Sequence, residues 1–300
     1  MRGMPSPILG LGEILWDLIP AGKQPGGAPF NFTIHCHQLG WPAIPVSRVG
    51  NDDLGKGLRS LILGRGLPDA FLQVDPDYPT GTVGVTLDST GQPTYVIHTD
   101  VAWDHLAFNE DVASLIGQSQ AICFGTLAQR HPVSRETVQR MVRHANAAGI
   151  LVVFDLNLRP PYNDLAVIEE SLHLATWLKL NDDELHELTS RLHLAGTTPS
   201  ARLACLRDRY HLDLVALTRG AEGCLIQTGR EEVDLPGVKV DVVDTIGAGD
   251  AFTAALLVAH LQGKTLRQSA SWANRIAALV ASRPGGTPVL HEEEIRECLR

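Results

Sequence analysis

From residue 121 onward, short apolar runs alternate with segments of helical pattern. Ala121–Phe124, Leu151–Phe154, Trp177–Leu180 and Leu214–Thr218 read as strands, with Val133–Ala148, Leu165–Ala175 and Asp182–Leu188 as helices between them. Such alternation predicts a mostly parallel sheet covered by helices on both faces, a three-layer α/β fold. Ligands of such sheets bind beyond the carboxyl ends of the strands. A further strand is expected at Val240–Val243, then a turn and two long helices, Asp250–Gln262 and Leu266–Ala281.

The first half is less regular. Ile8–Ile19 reads as one strand, and Pro29–Leu39 as a helix that follows a Gly-Gly turn and tolerates Pro29 in its first turn. Residues 43–49 read as a strand and 53–65 as a helix. Thr82–Leu87 and Thr94–Thr99 are rich in strand formers and flank Asp88-Ser-Thr-Gly-Gln-Pro, which predicts a hairpin. This hairpin breaks the alternation and is expected to form a small β appendage on the α/β body.

Charge narrows the function. The net charge of -9 argues against nucleic acid as a partner, because phosphate backbones need a basic face. An enzyme for an anionic nucleotide needs only a locally positive pocket. The five cysteines are scattered, with no CxxC pair, as expected of a reduced cytoplasmic protein. Neither a signal peptide nor an apolar run long enough to span a membrane is expected.

The strongest chemical signal is Asp244-Thr-Ile-Gly247-Ala248-Gly249-Asp250-Ala-Phe252, a turn that opens a helix. Gly247 and Gly249 allow a tight turn and leave the backbone open to a phosphate. Free N–H groups and the positive end of the helix dipole make an anion hole there. Asp250 at its edge, expected to stay ionised beside the helix start, is the candidate base for a hydroxyl proton. Alone, the same residues also describe an ordinary glycine turn with an Asp cap. The dinucleotide fingerprint fails, because the third glycine position holds Phe252. Gly263-Lys264-Thr265 fails as a P-loop, because Val258 stands at its first glycine; it reads as a turn between helices. His35-Cys36-His37 is poor as a metal motif, since helix positions two apart do not share a face.

Two longer patterns resolve the ambiguity. Pro25-Gly26-Gly27-Ala28-Pro29-Phe30-Asn31, with Gly40 and Gly50 following, resembles the N-terminal signature of the ribokinase (PfkB) carbohydrate kinases. Asp244 through Leu257 resembles their C-terminal signature. Gly12-Glu13 with Asp17, Gly50-Asn51-Asp52, Phe154-Asp155-Leu-Asn157-Leu-Arg159-Pro160, Lys179-Leu-Asn181-Asp182-Asp183-Glu184-Leu185 and Thr218-Arg219-Gly220 fit the same pattern over nearly the whole chain, closest to bacterial fructokinases.

The resemblance implies one ribokinase-like domain over residues 1–300, with a β lid from about 13–19 and 80–100. It implies ATP-dependent phosphorylation of a sugar, fructose first, with a 2-keto-3-deoxygluconate-type sugar acid or a nucleoside as alternatives. A non-catalytic sugar binder on the same fold is the reading from another class. Asp250 would be the base, beside an anion hole of Gly247, Ala248 and Gly249. Asp17, Gly27, Asn31 and Arg159 would bind the sugar, although Arg159 is equally placed to pair with Asp155. Asn181, Thr218, Gly220 and Asn274 would lie by the nucleotide. Glu184 would act on Mg2+ through water. Asp244, Ile246, Val280, Arg283 and Gly285 match the loop that holds K+ in the family. The apolar residues of the hairpin need cover, so a homodimer through the lid is expected.

Overall fold

The structure is a computed structural model that describes residues 5–19, 22–87 and 93–299. In chain order the strands are β1 (Ile8–Leu11), β2 (Leu15–Ile19), β3 (Gly22–Gly26), β4 (Ala43–Gly50), β5 (Leu72–Asp75), β6 (Gly81–Leu87), β7 (Pro93–Ile97), β8 (Ala121–Phe124), β9 (Leu151–Asp155), β10 (Trp177–Asn181), β11 (Leu214–Thr218), β12 (Cys224–Thr228) and β13 (Glu232–Leu235). The α-helices are α1 (Ala28–Gln38), α2 (Asp53–Gly64), α3 (Glu110–Gly117), α4 (Pro132–Ala147), α5 (Leu165–Leu174), α6 (Asp182–Arg191), α7 (Pro199–Tyr210), α8 (Ala248–Leu261), α9 (Leu266–Ala281) and α10 (Glu292–Glu297).

The main sheet has the order β13-β12-β11-β10-β9-β8-β1-β4-β5. It is parallel from β11 to β5, and only β12 and β13 run antiparallel, at one edge. One face packs on α1, α2 and α8–α10 around Phe30, Phe252, Leu256 and Trp272. The other packs on α3–α7 around Phe124, Phe154, Met141 and Leu206. Ala251 through Ala259 of α8 are all buried, as expected of a central helix that is apolar on every side.

A second sheet has the order β3-β2-β6-β7. Two antiparallel hairpins, β2–β3 and β6–β7, meet at the parallel pair β2–β6, where Leu15 faces Gly81. The expected hairpin is present, and its turn, residues 88–92, lies outside the described residues. Two of its apolar residues find cover on the body. Val83 is buried, and Ile97 packs on the cluster of Val101, Trp103 and Leu127. Leu18 and Val96 stay exposed on one row across Gly84.

Three expectations need correction. Ile8–Ile19 is two strands: the chain breaks at Gly12, which has φ 142, so that β1 enters the main sheet and β2 the small one. The small sheet gains β3, whose Gly-Lys-Gln-Pro-Gly sequence carries no strand signal. Val240–Val243 is no strand but an exposed approach to the glycine turn; the edge is filled by β12 and β13 instead.

Candidate active site

The glycine turn caps α8. Gly247 has φ 75, and a Cβ there would lie 2.0 Å from the Gly286 carbonyl oxygen, so only glycine fits. The Ala248 amide donates to the Thr245 carbonyl at 3.3 Å, and that of Ala251 to the Gly247 carbonyl at 2.9 Å. The amides of Gly249 and Asp250 have no acceptor among the described residues. They are the unsatisfied donors of a helix start, and they leave a place for an anion.

Asp250 is half-buried beside these amides, and its Oδ2 accepts from Asn31 Nδ2 at 2.9 Å. Burial and the neighbouring charge of Asp155 push its carboxyl up to about 6, against the pull of Asn31, Lys179 and Arg159. Desolvation therefore outweighs the helix dipole that was expected to keep this group fully ionised. The carboxylate still predominates at neutral pH, with a basicity suited to taking a proton.

Behind it lies a buried ion pair. Asp155, at the carboxyl end of β9, accepts from Lys179 Nζ at 3.1 Å and from Thr253 Oγ1 at 2.9 Å. Burial opposes the charge on Lys179, but the carboxylates of Asp155, Glu184 and Asp250 overcome it and raise its pKa. Lys179 Nζ would lie 3.0 Å from a Cβ at Gly249, so this cation sits directly under the turn. Asp155 is thus satisfied by Lys179 and Thr253, and the alternative in which Arg159 pairs with it is not the one seen.

Arg159 instead is exposed, donates to the Leu158 carbonyl at 3.0 Å, and lends its charge to Glu13, Asp17 and Asp250. Asp17 lies on β2, its pKa raised by burial and held back by Arg159. Gly27, with φ 109, caps α1; a Cβ there would meet the Glu13 carbonyl oxygen at 2.4 Å. Asn31 lies one turn along α1. The four residues expected around the sugar therefore converge on the carboxyl end of the main sheet, beneath the small one. Glu13 joins them: its Oε1 accepts from the Ala28 amide at 3.2 Å, its Oε2 is buried without a partner, and burial pushes its carboxyl up to about 7.

The remaining candidates fall in two neighbouring groups. Asn181 and Thr218 face each other at the ends of β10 and β11. Gly220 follows in a left-handed turn with φ 53, and Asn274 on α9 donates to the Pro236 carbonyl at 3.3 Å. Asn181 and Glu184 form a capping box: the Glu184 amide donates to Asn181 Oδ1 at 2.9 Å, and the Asn181 amide to Glu184 Oε2 at 2.8 Å. Glu184 Oε1 also accepts from the Leu158 amide at 2.8 Å, while Asp182 and Asp183 are solvated. In the other group, Asp244 accepts from the Ile246 amide at 3.0 Å and the Gly285 amide at 2.9 Å, which joins the two loops. The Val280 carbonyl accepts from the Arg283 amide at 3.0 Å, and the Arg283 side chain pairs with Glu294.

Besides Glu13, two participants were not assigned a role from sequence. Lys179 is a cation inside the otherwise apolar run Trp177–Leu180, and that incongruity is its signal. His35 has a position rather than a metal: it is buried and neutral, its pKa lowered to about 4 by burial, and Nε2 lies 3.0 Å from the Gly286 carbonyl. A carbonyl only accepts, so Nε2 carries the proton and steadies the loop against which Gly247 packs.

Comparison with known proteins bears on the family and the fold. The chain is 31% identical to a fructokinase of Salmonella typhimurium over 82% of each chain. It resembles the crystal structure of an uncharacterized sugar kinase from Pyrococcus horikoshii in complex with ATP, with 30% identity, coverage of 97% and 99%, and a TM-score of 0.82. It also resembles a fructokinase double mutant from Vibrio cholerae O395 in a fructose-, ADP- and potassium-bound form, with 25% identity, coverage of 100% of both chains and a TM-score of 0.83. The pfkB family carbohydrate kinase model matches residues 21–293, and the protein belongs to that family.

Proposed function

We propose that this ATP-dependent carbohydrate kinase transfers the γ-phosphoryl group of ATP to a primary hydroxyl of fructose. The observation that carries the reading is the Asp250 carboxylate, held by Asn31 at 2.9 Å beside the free amides that open α8. Asp17, Asn31 and Arg159 offer directional acceptors and donors to sugar hydroxyls, and Gly27 lets the sugar reach the backbone. Asp250 accepts the hydroxyl proton as the sugar oxygen bonds to the γ-phosphorus, and the bond to the departing ADP oxygen breaks. The amides of Gly249 and Asp250, with Lys179 beneath, stabilise the charge on the phosphoryl oxygens. Asn181, Thr218, Gly220 and Asn274 border the nucleotide.

Magnesium, when bound, neutralises phosphate charge. Glu184 suits a water-mediated role toward it, because the backbone amides of Leu158 and Asn181 fix the carboxylate in place. A potassium ion fits the loop pair: the carbonyls of Asp244, Ile246, Arg283 and Gly285 accept no hydrogen bond among the described residues, whereas that of Val280 is engaged. The exposed row of Leu18 and Val96 supports a homodimer through the small sheet, acting as a lid over the sugar. Five free cysteines favour a reducing, cytoplasmic setting; no helix among the described residues is long and apolar enough to cross a membrane.

A coupled ADP-release assay over fructose, glucose, ribose, 2-keto-3-deoxygluconate and adenosine tests the substrate. Fructose is expected to give the highest kcat/KM. A higher value for the sugar acid, which Arg159 would also suit, or for the nucleoside would overturn fructose. Tight sugar binding with no ADP release from any substrate would overturn the catalytic reading.

A further inference from the structure

We propose that Asp100, His105 and His131 form a transition-metal site that ties the exit of the small sheet to the α/β body. Each of these residues offers one ligand atom, and the three atoms lie within 4.8 Å of one another. His105 Nε2 is buried, has no hydrogen-bond partner, and lies 3.5 Å from Asp100 Oδ1. Two ligands on a tetrahedral ion with bonds of ~2.0–2.1 Å sit about 3.3 Å apart, so the pair needs little movement to bind one.

Both rings are positioned by contacts that leave a nitrogen available. The His105 ring stacks on Tyr78 with centroids 3.5 Å apart, and its backbone carbonyl accepts from Arg48 at 2.8 Å. His131 precedes α4, and its Nδ1 accepts from the Val133 amide at 3.3 Å, which leaves Nε2 uncommitted. The two imidazoles are 4.8 Å apart, centroid to centroid. Asp100 holds a left-handed backbone with φ 61 and presents its exposed carboxylate between β7 and the short helical turn at Ala102–His105.

Two imidazoles and one carboxylate, with a fourth position open, suit Zn2+, Co2+ or Ni2+ rather than Mg2+. The ligands come from opposite sides of a junction. Asp100 follows β7 out of the small sheet, whereas His105 and His131 are anchored on the body. No hydrogen bond or ion pair among the described residues joins any of the three to Asp250, Asn31 or Glu13, whose side-chain bonds run to one another and to Ala28. A bound ion clamps the root of the small sheet.

The test uses untagged protein stripped of metal, titrated with ZnCl2 by calorimetry and with CoCl2 by visible absorption. One ion per chain is expected, without the near-ultraviolet thiolate band that cysteine ligation gives. Affinity is expected to fall about 10-fold or more in Asp100→Asn and in His131→Asn, both on the accessible side of the site. Zinc at a hundredfold excess over the wild-type Kd is expected to raise the Tm of the wild type by about 4 °C and of either variant by about 2 °C or less. No binding, a thiolate band, or equal affinity in folded variants overturns the site.

Discussion

Replacing Asp250 by Asn tests the site through two readouts that a wrong assignment does not move together. The substitution keeps the size of the side chain and an oxygen able to accept from Asn31. It removes the base, and loss of a general base typically costs ~10²–10⁴ in rate, or about 2.7–5.5 kcal/mol of barrier. Turnover is expected to fall by that factor, with KM for sugar and ATP little changed. Stability is expected to move the other way. The wild-type carboxyl rises from 3.8 to about 6 on folding, which corresponds to at most about 3 kcal/mol of differential interaction. Asp250 is only half-buried, so about 1–2 kcal/mol is the expected size. A raised acid binds more protons folded than unfolded, so its stabilising contribution is full below pH 3.8 and disappears as pH rises through about 6. The amide that replaces it does not titrate. The variant should therefore match the wild type near pH 4 and exceed it by about 1–2 kcal/mol at pH 8 in urea denaturation. More than a tenth of wild-type kcat would refute the base. An equal stability difference at both pH values would refute the raised carboxyl.

Four other outcomes are expected. Gly249→Val should depress kcat more than sugar affinity, since a Cβ already lies 3.0 Å from Lys179 Nζ and a branched side chain would fill the anion hole; unchanged kcat would place the phosphate elsewhere. Lys179→Met should destabilise the fold by about 3–5 kcal/mol and move the acid limb of kcat/KM above its wild-type position near pH 6, because Asp250 loses a cation that lowers its pKa; an unmoved limb in folded protein would contradict the coupling. Activity should be higher in potassium than in sodium chloride at equal ionic strength, and equal rates would remove the ion from the Asp244–Gly285 loop pair. Light scattering at micromolar concentration should give a dimer, and a mass that stays near 32.5 kDa would refute it.

The parallel strands of the second half were legible because each is an apolar run bounded by turns, and helices such as α6 and α9 begin at the side-chain caps Asn181 and Thr265, whereas α7, β12 and β13 were not read. The glycine turn and Asn31 were legible because only small or specific residues serve there. The rest follows from distance. β3 is a strand only because β2 lies beside it, and Gly-Lys-Gln-Pro-Gly has no preference of its own. Val242 and Val243 look like a strand but remain 63% and 62% exposed, since β12 and β13 had already closed that edge. The Lys179–Asp155 pair and the raised carboxyls of Glu13 and Asp250 depend on what surrounds each group, which spacing along the chain does not encode.

The small sheet also has a kinetic consequence. Its hairpins close locally, but the β2–β6 seam joins Leu15 to Gly81 with α1, β4, α2 and β5 between them. Closing that loop costs entropy before any contact compensates, so the seam should form late, after the body has brought both crossings together. On a ribosome, β2 would emerge and wait through all of that synthesis without its parallel neighbour. Its Leu-Trp-Asp-Leu-Ile segment would meanwhile be open to a chaperone.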